Sequence, residues 1–199
     1  IYYTDSAYDK SIKHLQAYRS LRLEQQQEPL RNDIYLLGMA HYKIGQYAGA
    51  IDRLKEVKEW KDSISESAYL HLGHSYLRIG DEEKAKLSYA AAIQLNINSK
   101  VREEAMYNYV QITYLQGSAT GESITAFKQF LTEYPNTKYA NKVYALMADM
   151  YLTSKNYQAA YEALSEIPTP DTKMQETQQY LRYQLGMDAF FQGKMQDAI

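Results

Sequence analysis

Four histidines stand at His14, His41, His71 and His74, and the last two form a His-x-x-His pair. On a helix, residues three apart share a face, so two imidazoles at this spacing could contribute to a zinc site. Such a site needs further ligands, and the chain has neither a cysteine nor an HExxH motif. No metal site and no cofactor is expected, and the histidines read as surface or groove residues. The stretch Gly117-Ser118-Ala119-Thr120-Gly121-Glu122-Ser123 superficially suggests a phosphate cradle. A P-loop needs four residues between its glycines and then Lys-Ser/Thr. Here three intervene and Glu122 follows, whose charge repels phosphate, so the stretch reads as a turn. Glu82-Glu83 and Glu103-Glu104 fall at expected helix starts, where carboxylates complement the helix dipole. No local signature favours a Ser/His/Asp or paired-carboxylate site. No catalytic residue is assigned, and the chain is expected not to be an enzyme.

Composition narrows the remaining classes. In 199 residues there are only 9 Gly and 4 Pro, which disfavours a loop-rich or all-β chain. The hydrophobic share of 45% suffices for a core. A formal net charge of −2 lacks the strongly basic footprint of a nucleic-acid binder. The absence of cysteine removes disulfides, thiolate zinc sites and a cysteine nucleophile together. No apolar run approaches the ~18 residues a membrane span requires. The odd feature is 21 Tyr against 4 Phe and 1 Trp.

The elements that would position these residues are set by an internal repeat. A small residue followed by apolar residues at +4 and +7 occurs as Ser11/Leu15/Tyr18, Ala50/Leu54/Val57, Ala85/Tyr89/Ala92, Ser123/Phe127/Phe130 and Ala160/Leu164/Ile167. A sixth copy opens at Ala198-Ile199, and the intervals are 39, 35, 38, 37 and 38 residues. Twelve or thirteen positions upstream of each anchor but the first stands Gly38, Gly73, Val110, Ala148 or Gly186. Seven positions further on comes Gly45, Gly80, Gly117, Lys155 (with Asn156) or Gly193. Two interlocked series in constant register define repeats of two antiparallel helices. In the first full unit the helices are expected over 33–44 and 48–58, with apolar Ile34, Leu37, Ala40 and Ile44 at helical spacing. The second unit repeats this over 65–79 and 82–95, opened by a capping box, Ser63-Ile64-Ser65-Glu66. Pro168 and Pro170 end the second helix of the fourth unit. The small residues are expected where helices cross most closely.

This pattern resembles the tetratricopeptide-repeat (TPR) family. Leu37-Gly38, Tyr42, Gly45, Tyr47 and Ala50-Ile51 match its signature, as do Leu72-Gly73, Tyr76, Gly80 and Ala85. Ala148, Tyr151, Tyr157 and Ala160 carry it in the fourth unit. Units of 35–39 residues, Val110 and Ile97 depart from it, implying longer helices and uneven stacking. The resemblance implies an all-α fold, an α-α solenoid (a right-handed superhelix) of about five antiparallel helix-pair repeats in one array over 1–199. Its parts are a second helix of a partial repeat (1–28), full repeats (29–62, 63–98, 99–136 and 137–172) and a further partial repeat (173–199). Both ends fall inside a repeat, so the sequence is expected to be a piece of a longer array. A narrower similarity lies in Ala126-Phe127-Lys128-Gln129-Phe130-Leu131-Thr132-Glu133-Tyr134-Pro135-Asn136-Thr137 with Ala140. It is similar to bacterial envelope TPR proteins, the outer-membrane assembly lipoproteins and accessory proteins of the Tol–Pal system, and would imply a periplasmic or outer-membrane-associated location.

What the family implies about function is a non-enzymatic protein-interaction scaffold. Its first helices line a concave groove that takes a peptide or extended protein segment. Carried over by register, the groove candidates are Tyr35, Met39, Tyr42 and Lys43 in the first unit. Leu70, His74 and Arg78 follow in the second, and Tyr107, Gln111 and Tyr114 in the third. Asn32, Ser67, Leu77, Glu104, Leu115, Lys142, Ala145, Asp149, Leu152 and Thr153 share those register places. Tyr suits such a groove because it offers a rigid apolar face and a hydroxyl at small entropic cost. The alternatives are a structural assembly factor of the bacterial cell envelope, or the docking arm of a larger enzyme. The expected partner is a protein or peptide, with no nucleic acid and no membrane span in this segment.

Overall fold

A computed structural model of the chain describes residues 7–116 and 121–194. Its regular structure is entirely α-helical. The chain forms two compact units, Ile1–Thr113 and Tyr114–Ile199. Unit 1 holds α1 (Tyr8–Glu24), α2 (Arg31–Lys43), α3 (Tyr47–Lys55), α4 (Ser63–Arg78), α5 (Glu82–Leu95) and all but the last two residues of α6 (Ser99–Leu115). Unit 2 holds α7 (Gly121–Glu133), α8 (Ala140–Thr153), α9 (Tyr157–Ser165) and α10 (Thr172–Phe191). The expected turn after Gly117 and the anchor at Ala198 lie outside the described residues.

The turn series of the sequence is a series of left-handed residues. Gly45, Gly80 and Gly193 have φ of +78°, +81° and +74°, and Lys155 takes the same place at +57°. After each, the next backbone N–H reaches back five residues: Gln46 to His41, Asp81 to Tyr76, Asn156 to Tyr151 and Lys194 to Ala189, at 2.8–3.0 Å. This bond satisfies one of the carbonyls that a helix end leaves open. The residue after the turn then caps the next helix in two of the pairs. Asp81 accepts from Lys84 N at 3.1 Å, and Asn156 from Ala159 N at 3.2 Å.

The other two series meet inside each helix pair. A Cβ on Gly38 would stand 2.9 Å from Leu54 Cδ2, and one on Gly73 would stand 2.5 Å from Tyr89 Cε1. Gly38 and Leu54 are each eight residues from Gln46, and Gly73 and Tyr89 each eight from Asp81. Contacts equidistant from a turn make each pair antiparallel. The anchors bury as expected: Ala50, Leu54, Val57, Ala85, Tyr89, Ala92, Phe127, Phe130 and Ala160 are all 0% exposed. The first copy departs from the pattern. Ser11 is buried, but Tyr18 is 38% exposed, and Ile12 instead packs with Leu37 and Ala40.

The expected capping box at the second unit is not what forms. The N-cap of α4 is Asp62, whose carboxylate accepts from Ser65 N at 2.9 Å. Ser65 Oγ instead donates to Val57 O at 3.1 Å, and Trp60 N donates to it in turn. Glu66, fully buried, turns away to accept from Ile97 N and Asn98 N at 2.8 and 2.9 Å. Arg31 holds the equivalent place in the preceding repeat, seven residues before Gly38 as Glu66 is before Gly73. Its guanidinium donates to Val57 O, to Ser65 Oγ and to the Asp62 carboxylate. In both repeats a long charged side chain from the first helix therefore fastens the segment that follows the second helix.

Two stability outcomes follow from the crossing and the turn. Gly73→Ala should destabilise by about 1–3 kcal/mol, because the tyrosine ring cannot move aside, and this outweighs the ~1 kcal/mol gain in helix propensity. Gly38→Ala should cost less, since Leu54 is a flexible neighbour; urea denaturation reads the order. Lys155→Gly should instead stabilise by about 1 kcal/mol, relieving a side chain at positive φ. A lower urea midpoint for that variant would contradict the turn assignment.

Candidate functional site

In unit 1 the first helices α2, α4 and α6 contribute residues that meet side by side across repeats. Tyr35 and Ser67 hydroxyls lie 2.7 Å apart, joining α2 to α4. Two turns on along α2, Tyr42 packs edge-on against His71, ring centres 4.9 Å apart, and lies 6.1 Å from His74 with a 27° tilt. The Tyr42 hydroxyl reaches His74 Nδ1 at 3.4 Å. His74 Nε2 faces α6, 3.6 Å from Glu104 Oε1 and 3.5 Å from Asn108 Nδ2. His71 donates from Nδ1 to Ser67 O at 2.8 Å, its own helix turn, and so fixes its tautomer.

Electrostatics follow from this burial. The imidazoles of His71 and His74 both fall to about 4, first because burial disfavours the charged ring. Each has a positive neighbour that adds to this, Lys43 for His71 and Arg78 for His74, and the two rings oppose each other's charging at His71. Glu104 pulls His71 the other way, by less. His74 is therefore neutral near pH 7, and its approach to Glu104 is not an ion pair. Burial raises the Tyr42 phenol. Lys43 and Arg78 themselves are exposed.

The other register candidates fall into two sets. Met39, Leu70 and Tyr107 are 5%, 4% and 7% exposed, so they support the surface from beneath. The Tyr107 hydroxyl accepts from Gln111 Nε2 at 2.9 Å. In unit 2, Tyr114 donates to Asp149 at 2.5 Å, and this bond raises its phenol. Tyr42 and Tyr114 hold the same place in their repeats, and each hydroxyl reaches the corresponding residue of the following first helix, His74 or Asp149. Asn108 was not singled out by register; its polar side chain one turn after Glu104 was the available signal. The His-x-x-His pair is a packed ring pair, centres 5.8 Å apart. Among the described residues, no group of three or more His, Asp or Glu could hold a metal.

Helix pairs stacked so that successive first helices share one polar and aromatic face define a helical-repeat scaffold for protein interaction. Tetratricopeptide-repeat family models match residues 34–63 and 66–96, so the two complete helix pairs of unit 1 are tetratricopeptide repeats. No curated protein matches the sequence. Among the described residues, no helix is long and apolar enough to cross a membrane.

The buried imidazoles carry a pH signature. Their native values lie below the usual 6.5, so the unfolded chain binds protons first as pH falls. Stability is fully present above about pH 6.5 and declines toward pH 4, by about 3 kcal/mol for each imidazole. Urea denaturation at several pH values should show this slope, and His71→Gln with His74→Gln should flatten it. An unchanged slope in the double variant would place the titrating groups elsewhere.

Proposed function

We propose that the α2–α4–α6 face of unit 1 binds an extended peptide segment of a partner protein, as part of a single repeat array. The observation that carries this reading is the half-buried Tyr42–His71–His74 ring cluster with exposed Lys43 and Arg78 beside it. The rings offer a rigid apolar floor whose hydroxyl and ring nitrogens are already oriented by neighbouring repeats, so little ordering entropy is lost on binding. Lys43 and Arg78 would meet carbonyl or carboxylate oxygens of the segment. Tyr35 extends the same floor toward Ser67, and Gln111 extends it along α6.

Peptides selected from a random linear library against the immobilised protein provide the test. Lys43→Glu with Arg78→Glu changes only exposed side chains, so melting should be unaltered while the selected peptides lose at least tenfold in affinity. Unchanged affinity would contradict the assignment of this face.

A second reading, a bacterial envelope assembly factor, is supported by the resemblance of the Phe127-to-Thr137 stretch. Within that stretch Phe127 and Phe130 are buried and Phe130 packs on Tyr134 at 5.6 Å, which accounts for the motif as architecture. A secretion signal or lipobox encoded upstream in the gene would favour the envelope, and a catalytic motif there would favour a docking arm.

A further inference from the structure

On the opposite side of unit 1 from the shared first-helix face, the second helices α3 and α5 flank a groove floored by α4. A cavity of about 280 Å³ is lined there by Lys55, Lys58, Tyr69, Tyr76, Lys84 and Leu87 among others. The ammonium groups of Lys55 and Lys84 stand 5.7 and 5.6 Å from the Tyr76 ring centre, and that of Lys58 stands 5.6 Å from Tyr69. A second hollow of about 510 Å³ shares Lys58 and Tyr69 and continues the groove past Lys61, Trp60 and Ile97. Leu87 and Trp60 are exposed at 69% and 51%. Lys84 pairs with Asp81 and Lys58 with Glu59, whereas among the described residues neither Lys55 nor Lys61 makes an ion pair. In a chain of net charge −2, this is a local basic strip interleaved with apolar surface.

Unit 2 supplies an internal comparison. Its corresponding cavity keeps the floor, with Tyr144, Met147 and Tyr151 in the places of Tyr69, Leu72 and Tyr76. Its rim differs in part: Lys128 keeps the place of Lys55, but Leu131, Ala159 and Glu162 stand where Lys58, Lys84 and Leu87 stand in unit 1. The tyrosine pair and one rim lysine thus recur with the repeat, while Lys58, Lys84 and Leu87 are particular to the first groove. Lysines held over tyrosine rings keep their charge and three donors available to an incoming carboxylate.

We propose that the groove between α3 and α5 is a second docking site, which takes an acidic linear segment carrying aliphatic side chains. Carboxylates of the segment pair with Lys55, Lys58 and Lys61, and its aliphatic groups cover Leu87 and Trp60. This site is independent of the α2–α4–α6 face, and the two can be occupied together.

The probe is a fluorescein-labelled peptide alternating Asp or Glu with Leu, followed by anisotropy on the full chain. Saturable binding is expected, weakened at least tenfold by Lys55→Glu with Lys58→Glu and also by Leu87→Ser. Lys43→Glu with Arg78→Glu should leave it unchanged, and replacing the peptide's acids with Lys should abolish it. These positions are solvent-facing, so circular dichroism and melting should match the parent. Absence of saturable binding, or binding insensitive to Lys55→Glu with Lys58→Glu, overturns the proposal. Loss only in Lys43→Glu with Arg78→Glu also overturns it, and assigns the peptide to the first-helix face instead.

Discussion

The close approach of two backbones inside each repeat is the constraint on which the remaining structure depends. Gly38 lies under Leu54 and Gly73 under the Tyr89 ring, at distances that leave no room for a Cβ. An apolar residue four positions after the anchor can then lie flat across the first helix and be buried completely. Tyr89 accepts a cost for this, since among the described residues its buried hydroxyl has no hydrogen-bond partner. The helix axes set by these contacts decide which residues of α2 and α4 meet, and hence that Tyr42 reaches both imidazoles. The left-handed turn residues serve the same end, since they bring the second helix back along the first within three residues.

Between repeats the chain uses charge at one register place, with opposite signs. Arg31 donates to a carbonyl and a carboxylate of the following junction, and Glu66 accepts from two backbone amides of the next. Arg31 satisfies a carbonyl left open after a second helix, and Glu66 satisfies two amides of the connection just before the next first helix. A place that tolerates either sign is selected for reach and hydrogen-bonding capacity rather than for a particular charge. Tyr42 and Tyr114 show the same economy: a ring fills the space between first helices and the hydroxyl finds the next repeat.

Much of this was legible in the residue pattern. The anchor triplets, the glycine series and the turn series each have one physical cause, so their spacing carried the helix pairs, their crossings and four left-handed turns, including Lys155. Register also put Tyr42 and His74 in the same set of groove places, without pairing them. It did not distinguish Met39, Leu70 and Tyr107, which lie beneath the face, from Tyr42, which lines it, because an amphipathic pattern does not resolve how deep a side chain sits. Glu66 was read as a local cap, since Ser-x-x-Glu spacing carries no information about a partner thirty residues away. The outer groove was hidden because Tyr69 and Tyr76 read as packing, which they are, while the lysines above them come from two other helices.

A double-mutant cycle between Gly73 and Tyr89 tests the central constraint most directly. If the ring and the missing Cβ set the crossing, Ala at position 73 should cost about 1–3 kcal/mol against Tyr89 and much less against Tyr89→Leu, a coupling of at least ~1 kcal/mol. Costs that simply add in the double variant would show that the helices are not held by this contact.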